Sequence, residues 1–371
     1  MRMLLVAAIL FAGSAQAAEV TSTPPRWTGD LYFGYDGTLD VIRLQDAADS
    51  EPGPLEVANG IHHRHALDLS GRFSPWHGVQ VRLDLPIVAW DRTRWLEANR
   101  MVWDPDRQRP TMLGGAAINT NDLDATPSSR EHHGPDDLYL GFRVVPFGED
   151  AVYRGAAPAS LAIDLGFTFP SGENHDSVRD NGSAGAGVGG MGVHLALAAS
   201  RRFAQAEPWI RFAYDHQAAY SAPLVDVNGA ALPGADADGN TTLDPADSAS
   251  ISLGTEVIAT EDRAADTGVR MGFGATLRYV SPEQVSSGRR IPLPLASTRG
   301  HVAIAAEHIQ IEALMSVRAR TQRPAEFRMD VAGGWVSDHT LEQVSESAYG
   351  VQTAPGTFYV RFGVGALLRF R

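Results

Sequence analysis

The chain has 371 residues, 44% of them hydrophobic and 20% charged, the composition of a folded protein rather than a disordered one. Formal net charge is −13, so the basic stripe needed to hold phosphate backbones is missing and no nucleic-acid partner is expected. All 31 basic residues are Arg and there is no Cys, which rules out disulfides, thiolate metal sites and cysteine nucleophiles.

Residues 1–17, MRMLLVAAILFAGSAQA, place a basic Arg2 before an apolar run from Met3 to Ala12 and a small-x-small signal at Ala15-Gln16-Ala17. That order predicts a cleaved signal peptide over 1–18 and a mature chain over 19–371. The run is too short to span a bilayer, and no later stretch has the roughly 18 apolar residues of a spanning helix.

The mature chain alternates with period two. In 27–42 the apolar face is Trp27, Leu31, Phe33, Tyr35, Leu39 and Val41. In 77–91 it is Val79, Val81, Leu83, Leu85 and Ile87, against Gln80, Arg82 and Asp84. In 136–145 it is Leu138, Leu140, Phe142 and Val144, and in 159–170 Leu161, Ile163, Leu165, Phe167 and Phe169. The pattern continues through 189–202, 207–217, 250–260, 267–280 and 325–337. In 299–320 the phase slips at Glu307–His308, read here as a bulge within one long strand. The tail TFYVRFGVGALLRFR keeps Phe358, Val360, Phe362, Val364, Ala366, Leu368 and Phe370 on one face and Arg361 and Arg369 on the other.

Strands of ten residues or more with one greasy face match the 9 to 11 residues that cross an outer-membrane bilayer at a tilt. Lipid tolerates strands only when every edge is closed. The predicted fold is therefore all-β: a closed antiparallel transmembrane β-barrel of about 12 strands, apolar face to lipid, charged and glycine face to the lumen. Short links near 74–76, 147–158, 204–206, 261–266 and 321–324 alternate with long ones at 43–58, 93–133, 171–187, 218–248, 281–298 and 338–355, as expected of periplasmic turns and extracellular loops.

Three stretches, GPDDLYLGFRVVP (134–146), FTFPSGENHD (167–176) and GAGVGGMGVHLALAASRRF (185–203), resemble outer-membrane channels of the meta-pathway phenol degradation-like family, distant kin of the long-chain fatty-acid transporter superfamily. The resemblance covers the middle third and implies a barrel that passes hydrophobic or small solutes. The tail resembles the terminal strand through which the barrel-assembly machinery recognises its clients, with Phe370 as the closing aromatic and Arg371 following it.

The expected activity is a channel or uptake porin of the outer membrane, with membrane lipid and a small solute as partners and no catalysis. Pore-lining candidates, by face alone, are Arg82, Asp84, Arg143, Asp164, Arg270, Arg278 and Arg361. A selectivity lining and an ion-pair ladder filling a narrow barrel are equal readings of them. On this assignment Val364→Arg is costly and Arg361→Ala mild. The segment DADGNTTLDPAD puts Asp236, Asp238, Asn240, Thr242, Asp244 and Asp247 at the spacing of a calcium loop, although Thr241 replaces the sixth-position glycine and Asp247 the bidentate glutamate. No cofactor is expected apart from Ca2+ at this loop. The histidines of IHHRH sit at a strand end, where only His63 and His65 share a face. Two alternatives remain: a surface-binding or structural barrel acting through acidic loops, loop 93–133 with Trp95, Trp103 and Asp104 among them, and a lipid-modifying hydrolase built on His216, Tyr220 and Ser221.

Overall fold

A computed structural model of the chain describes residues 25–46, 56–104, 109–117, 131–148, 159–173, 185–222, 240–262, 265, 267–286, 302–321, 325–344, 352–354 and 356–370. The segment 1–18 and the calcium-loop positions Asp236 and Asp238 lie outside them. Among the described residues every regular element is a strand, and none is a helix long and apolar enough to cross a membrane.

Twelve strands form the wall: β1 Thr28–Asp46, β2 Glu56–Trp76, β3 Val79–Asp104, β4 Leu138–Phe147, β5 Ser160–Phe169, β6 Gly192–Ser200, β7 Ala206–Gln217, β8 Ser248–Asp262, β9 Thr267–Val280, β10 His308–Arg320, β11 Ala325–Val336 and β12 Thr357–Phe370. Each pairs antiparallel with the next, and β12 returns to β1 from Gly29↔Phe370 to Asp40↔Tyr359, closing the barrel. Closure removes both edges, leaving the wall's backbone groups paired within the ladder.

The alternation sets the two faces. Leu31, Phe33, Leu67, Leu83, Ile163, Leu253, Phe273, Ile311, Met329 and Val360 are exposed on the outside, while Arg64, Asp84, Asp164, Glu256, Arg328 and Arg361, from six of the same strands, are buried inside. Trp27, Trp76, Phe147, Phe203, Phe327 and Phe370 ring the outer surface at the end carrying the short links, here the turn end. Phe169, Tyr214, Tyr279, Trp335 and Phe358 close the apolar run at the loop end. Two aromatic belts bounding an apolar band are what a bilayer selects.

The walls rise beyond the band where loops were expected. β1 runs on to Asp46, and β3 continues through 93–104, part of the predicted loop, to pair with a short strand Arg109–Ala117. Bulges hid this: Ala89 and Leu96 are skipped in the β2–β3 register, and an extra residue reverses the sequence phase. Beyond β9 to β12, short strands Glu283–Ser286, Val302–Ala305, His339–Val344 and Gln352–Ala354 extend the wall toward β1. The slip near Glu307–His308 proves to be an interruption at Ala306–Glu307 within one line of chain, so the strand count holds. The first link also falls later than expected: β2 reaches Trp76, and His77–Gly78 make the turn, with Gly78 at φ 76°, a region open to glycine.

Where strand and extension part, a serine repairs the ladder. Ser171, Ser281 and Ser337 each follow the loop end of a rising strand, and their Oγ atoms accept the backbone N–H of Leu138 (2.9 Å), Asp247 (2.8 Å) and Ile309 (3.0 Å). A donor that the interruption would orphan is thereby satisfied.

Candidate functional site

All seven predicted lining residues lie on the inner face, and each has a polar partner. Arg82 Nε donates to Asp84 at 2.6 Å. Arg143 grips Asp164 with two parallel bonds, Nε to Oδ1 at 2.6 Å and Nη2 to Oδ2 at 3.0 Å, the fork geometry suited to a carboxylate. Arg211 stands 4.0 Å from Asp164 and donates to His194 Nε2 at 3.0 Å. A guanidinium can only donate, so Nε2 accepts and the proton sits on His194 Nδ1, which binds Asp215 at 2.5 Å. One chain of contacts thus crosses four strands from Arg143 on β4 to Asp215 on β7.

A second network is organised by carboxylates. Glu256 on β8, 2% exposed, accepts from Arg270 at 3.1 Å and from Arg318. Glu326 holds Arg328 (2.9 Å) and Arg369 (2.8 Å). Glu312 takes Arg361 (3.1 Å) and the hydroxyl of Tyr359 (2.9 Å). Arg278 donates to Gln310 at 3.3 Å. Toward the turn end the network opens into a cavity of about 150 Å³ among Glu261, Asp262, Arg270, Arg318, Arg320 and Glu326.

Burial decides what these pairs do at this level. Arg361 is 3% exposed and Arg143 9%, so water scarcely reaches them and the paired side chains fill the barrel there. The expectation that Arg361→Ala is mild is therefore corrected. Face assignment gave its direction without its partner, and removing one member of a buried pair leaves the other uncompensated.

Inner-face glycines let aromatic rings lie flat on the wall. A Cβ on Gly166 would fall 2.1 Å from the Tyr139 hydroxyl, and one on Gly334 2.2 Å from Tyr359. The sequence marks these glycines, but pairing each with its ring needs the register.

At the loop end the three stretches that carried the family resemblance converge. Asp137, between the short strand His132–Pro135 and β4, accepts the backbone N–H of Gly172 (3.1 Å), Val188 (2.8 Å) and Gly189 (3.3 Å). It thereby ties the Pro-Ser-Gly segment after β5 to the glycine-rich segment before β6, and Val188 is buried beneath. Burial pushes the Asp137 carboxyl up to about 6, helped by the neighbouring charge of Asp136 and opposed by the three N–H donors. Asp136 itself takes Arg64 at 2.8 Å, and His62 binds Asp91 at 2.6 Å nearby.

The described part of the calcium segment does not converge. Thr242 pairs with Ser221 in a two-strand ladder, and Asp247 accepts from Tyr214 (2.8 Å) and pairs with His216 Nδ1 (2.7 Å) on the outer rim. Among the described residues no group of three or more His, Asp or Glu side chains is placed to hold a metal. His63 and His65 do share the outward face, and each stacks on Trp90.

No protein-family model and no curated protein matches the sequence. Among solved structures the chain is similar to the COG4313 outer membrane channel from Pseudomonas putida F1, with a TM-score of 0.50 at 10% identity over 95% of this chain and 98% of that one. It is less similar to the Pseudomonas putida toluene transporter TodX, TM-score 0.37 at 10% identity over 96% and 93% of the two chains. The outer membrane protease OmpT from Escherichia coli gives 0.35 at 10% identity over 95% and 99%. The chain has the fold of an outer-membrane β-barrel.

Proposed function

We propose that the protein is exported to the outer membrane and acts there as a channel that passes small solutes, hydrophobic ones among them, by passive diffusion. The observation that carries this reading is the chemistry of the inner face. Replacing buried ion pairs by apolar side chains of similar volume is often neutral or stabilising, so a barrel needed only as an anchor has no reason to keep Arg143–Asp164, Glu256–Arg318 and Glu312–Arg361 inside. Paired charges separate and rehydrate where an apolar core does not, which suits a path that opens to water. The fold it shares is that of a protein described as an outer membrane channel. We take β12, ending in Phe370, as the segment through which the assembly machinery engages the chain.

Planar-bilayer recording of the refolded protein tests this. Discrete conductance steps are expected, shifted toward cations in Arg82→Ala, which leaves Asp84 without its partner. Silent bilayers, together with liposomes that do not swell in small solutes, overturn it. Catalysis has one observation in its favour, the exposed His216–Asp247 pair. Among the described residues Asp247 is the only side chain that hydrogen-bonds His216, and no nucleophile joins it; lipid turnover lost in His216→Ala is the result that would favour the hydrolase.

A further inference from the structure

The loop-end rim is not uniform in charge. Across β5, β7, β9, β11 and β12 the apolar band closes on Phe169, Tyr214, Tyr279, Trp335 and Phe358, and the polar residues just beyond include the acidic Asp247, Glu307 and Asp338, with the exposed His216 paired to Asp247. Across β1 to β3 the rim is basic. There Tyr35 bonds His65 at 2.6 Å, and His65 and His63 lie against Trp90 with ring centroids 5.5 and 5.8 Å apart. Next along the ladder come Arg92, opposite His63, and Arg94, opposite Ile61, with Arg43 further out on β1 opposite Asn59. From Tyr35 to Arg43, Ile61 to His65 and Trp90 to Arg94 the outward positions include no acidic residue, and Glu97 stands further out, in the row of Asn59 and Arg43.

A bulge turns the two arginines outward. Ala89 is the extra residue in β3, between Val88↔Ala66 and Trp90↔His65. Were Ala89 paired in regular alternation instead of bulged, Arg92 and Arg94 would point into the lumen, because a one-residue slip exchanges the faces. Their height is fixed by the same register. Arg92 lies two ladder steps beyond Trp90, the last outward aromatic residue of β3, so at about 3.3 Å per step and a tilt of about 40° it stands roughly 5 Å beyond a ring of the kind that settles at the membrane interface. That is headgroup level, where an outward guanidinium meets phosphate and sugar. Guanidinium binds phosphate oxygens with two parallel bonds, while the stacked Trp90, His63 and His65 offer a flat amphipathic surface beneath.

We propose that the outward face of β1 to β3, centred on Arg92, Arg94 and the His63–His65–Trp90 stack, is a binding site for the phosphate of an outer-leaflet glycolipid headgroup. The inference rests on the proposed outer-membrane placement and is independent of conduction.

The test uses full-length protein refolded in detergent, with retained lipid counted by native mass spectrometry after mixing with bis-phosphorylated lipid A, its dephosphorylated form, or inorganic phosphate alone. Wild type is expected to retain lipid A at least about tenfold more strongly than Arg92→Gln/Arg94→Gln, the scale of losing charge-assisted bonds. It is also expected to favour lipid A over the dephosphorylated form by a similar factor, and inorganic phosphate in excess is expected not to displace the lipid. Equal retention by wild type and variant, or of both lipid forms, overturns the proposal; displacement by inorganic phosphate replaces it with a free-anion site. Heat-modifiable gel migration checks folding first, and Arg94→Gln alone, at an exposed position, decides the matter if the double variant does not fold. A barrel that binds lipid A without conducting breaks only the channel reading, and one that conducts without preferring phosphorylated lipid breaks only this one.

Discussion

On β12 the outward residues Phe358, Val360, Phe362 and Val364 and the inward residues Tyr359, Arg361, Gly363 and Gly365 come from the same stretch of chain, yet the two faces carry different information. Outside, each side chain meets a medium, and any apolar group of moderate size serves. Inside, each meets a particular partner: Arg361 needs Glu312, Tyr359 needs the space above Gly334. The outer face therefore tolerates substitution within a chemical class, whereas the inner face is specified pair by pair.

The strongest way to break this comparison is at Glu256. It is 2% exposed and serves both Arg270 and Arg318, so Glu256→Ala removes the carboxylate the two guanidinia share and leaves Arg270 with Glu261 at 3.0 Å. A loss of about 3–5 kcal/mol is expected, measured by urea unfolding of vesicle-embedded protein. A change below about 1 kcal/mol would mean that water already screens the interior. The matching outside test is Val364→Arg, midway along the outward run of β12, expected to cost about 2–4 kcal/mol as a charge at mid-bilayer. Val364→Leu stays within the class and is expected to be close to neutral.

The same asymmetry explains what could be read in advance. Alternation is a property of one strand at a time, so lipid-facing residues, strand number and closure were visible in residues such as Val79 to Ile87 without any partner. Arg143–Asp164 and Glu312–Arg361 depend on register and on side chains reaching across strands, which one strand's periodicity does not encode. Bulges obscure even the alternation: past Ala89 and Leu96 the continuing strand of β3 reads as a loop. Asp137 was visible as a polar strand-end residue, but its three backbone donors come from segments 35 to 52 residues further on.

A gentler probe is Gly166→Ala. The added methyl would collide with the Tyr139 hydroxyl, 2.1 Å from the new Cβ, and displacing the ring is expected to cost about 1–3 kcal/mol. Tyr139→Ala in the same chain removes the obstacle, so the double variant should lose less than the two single losses added. Strict additivity by urea unfolding would show that ring and glycine are not coupled.

The smallest effect separates the inner wall from the knot above it. Asp137 titrates at about 6 in the folded chain and near 3.9 when unfolded, so between those values the native state holds the extra proton. By linkage its contribution is fully favourable below the unfolded value and is lost as pH rises through about 6. The knot should therefore open more readily at pH 7.5 than at pH 5, by on the order of 1 kcal/mol, in native-state hydrogen exchange of the Val188 and Gly189 amides corrected for intrinsic base catalysis. Asp137→Asn keeps an acceptor and removes the charge, so its opening should be nearly independent of pH. Protection that instead rises with pH would mean that the three N–H donors outweigh burial, and that the carboxylate holds the knot as an anion.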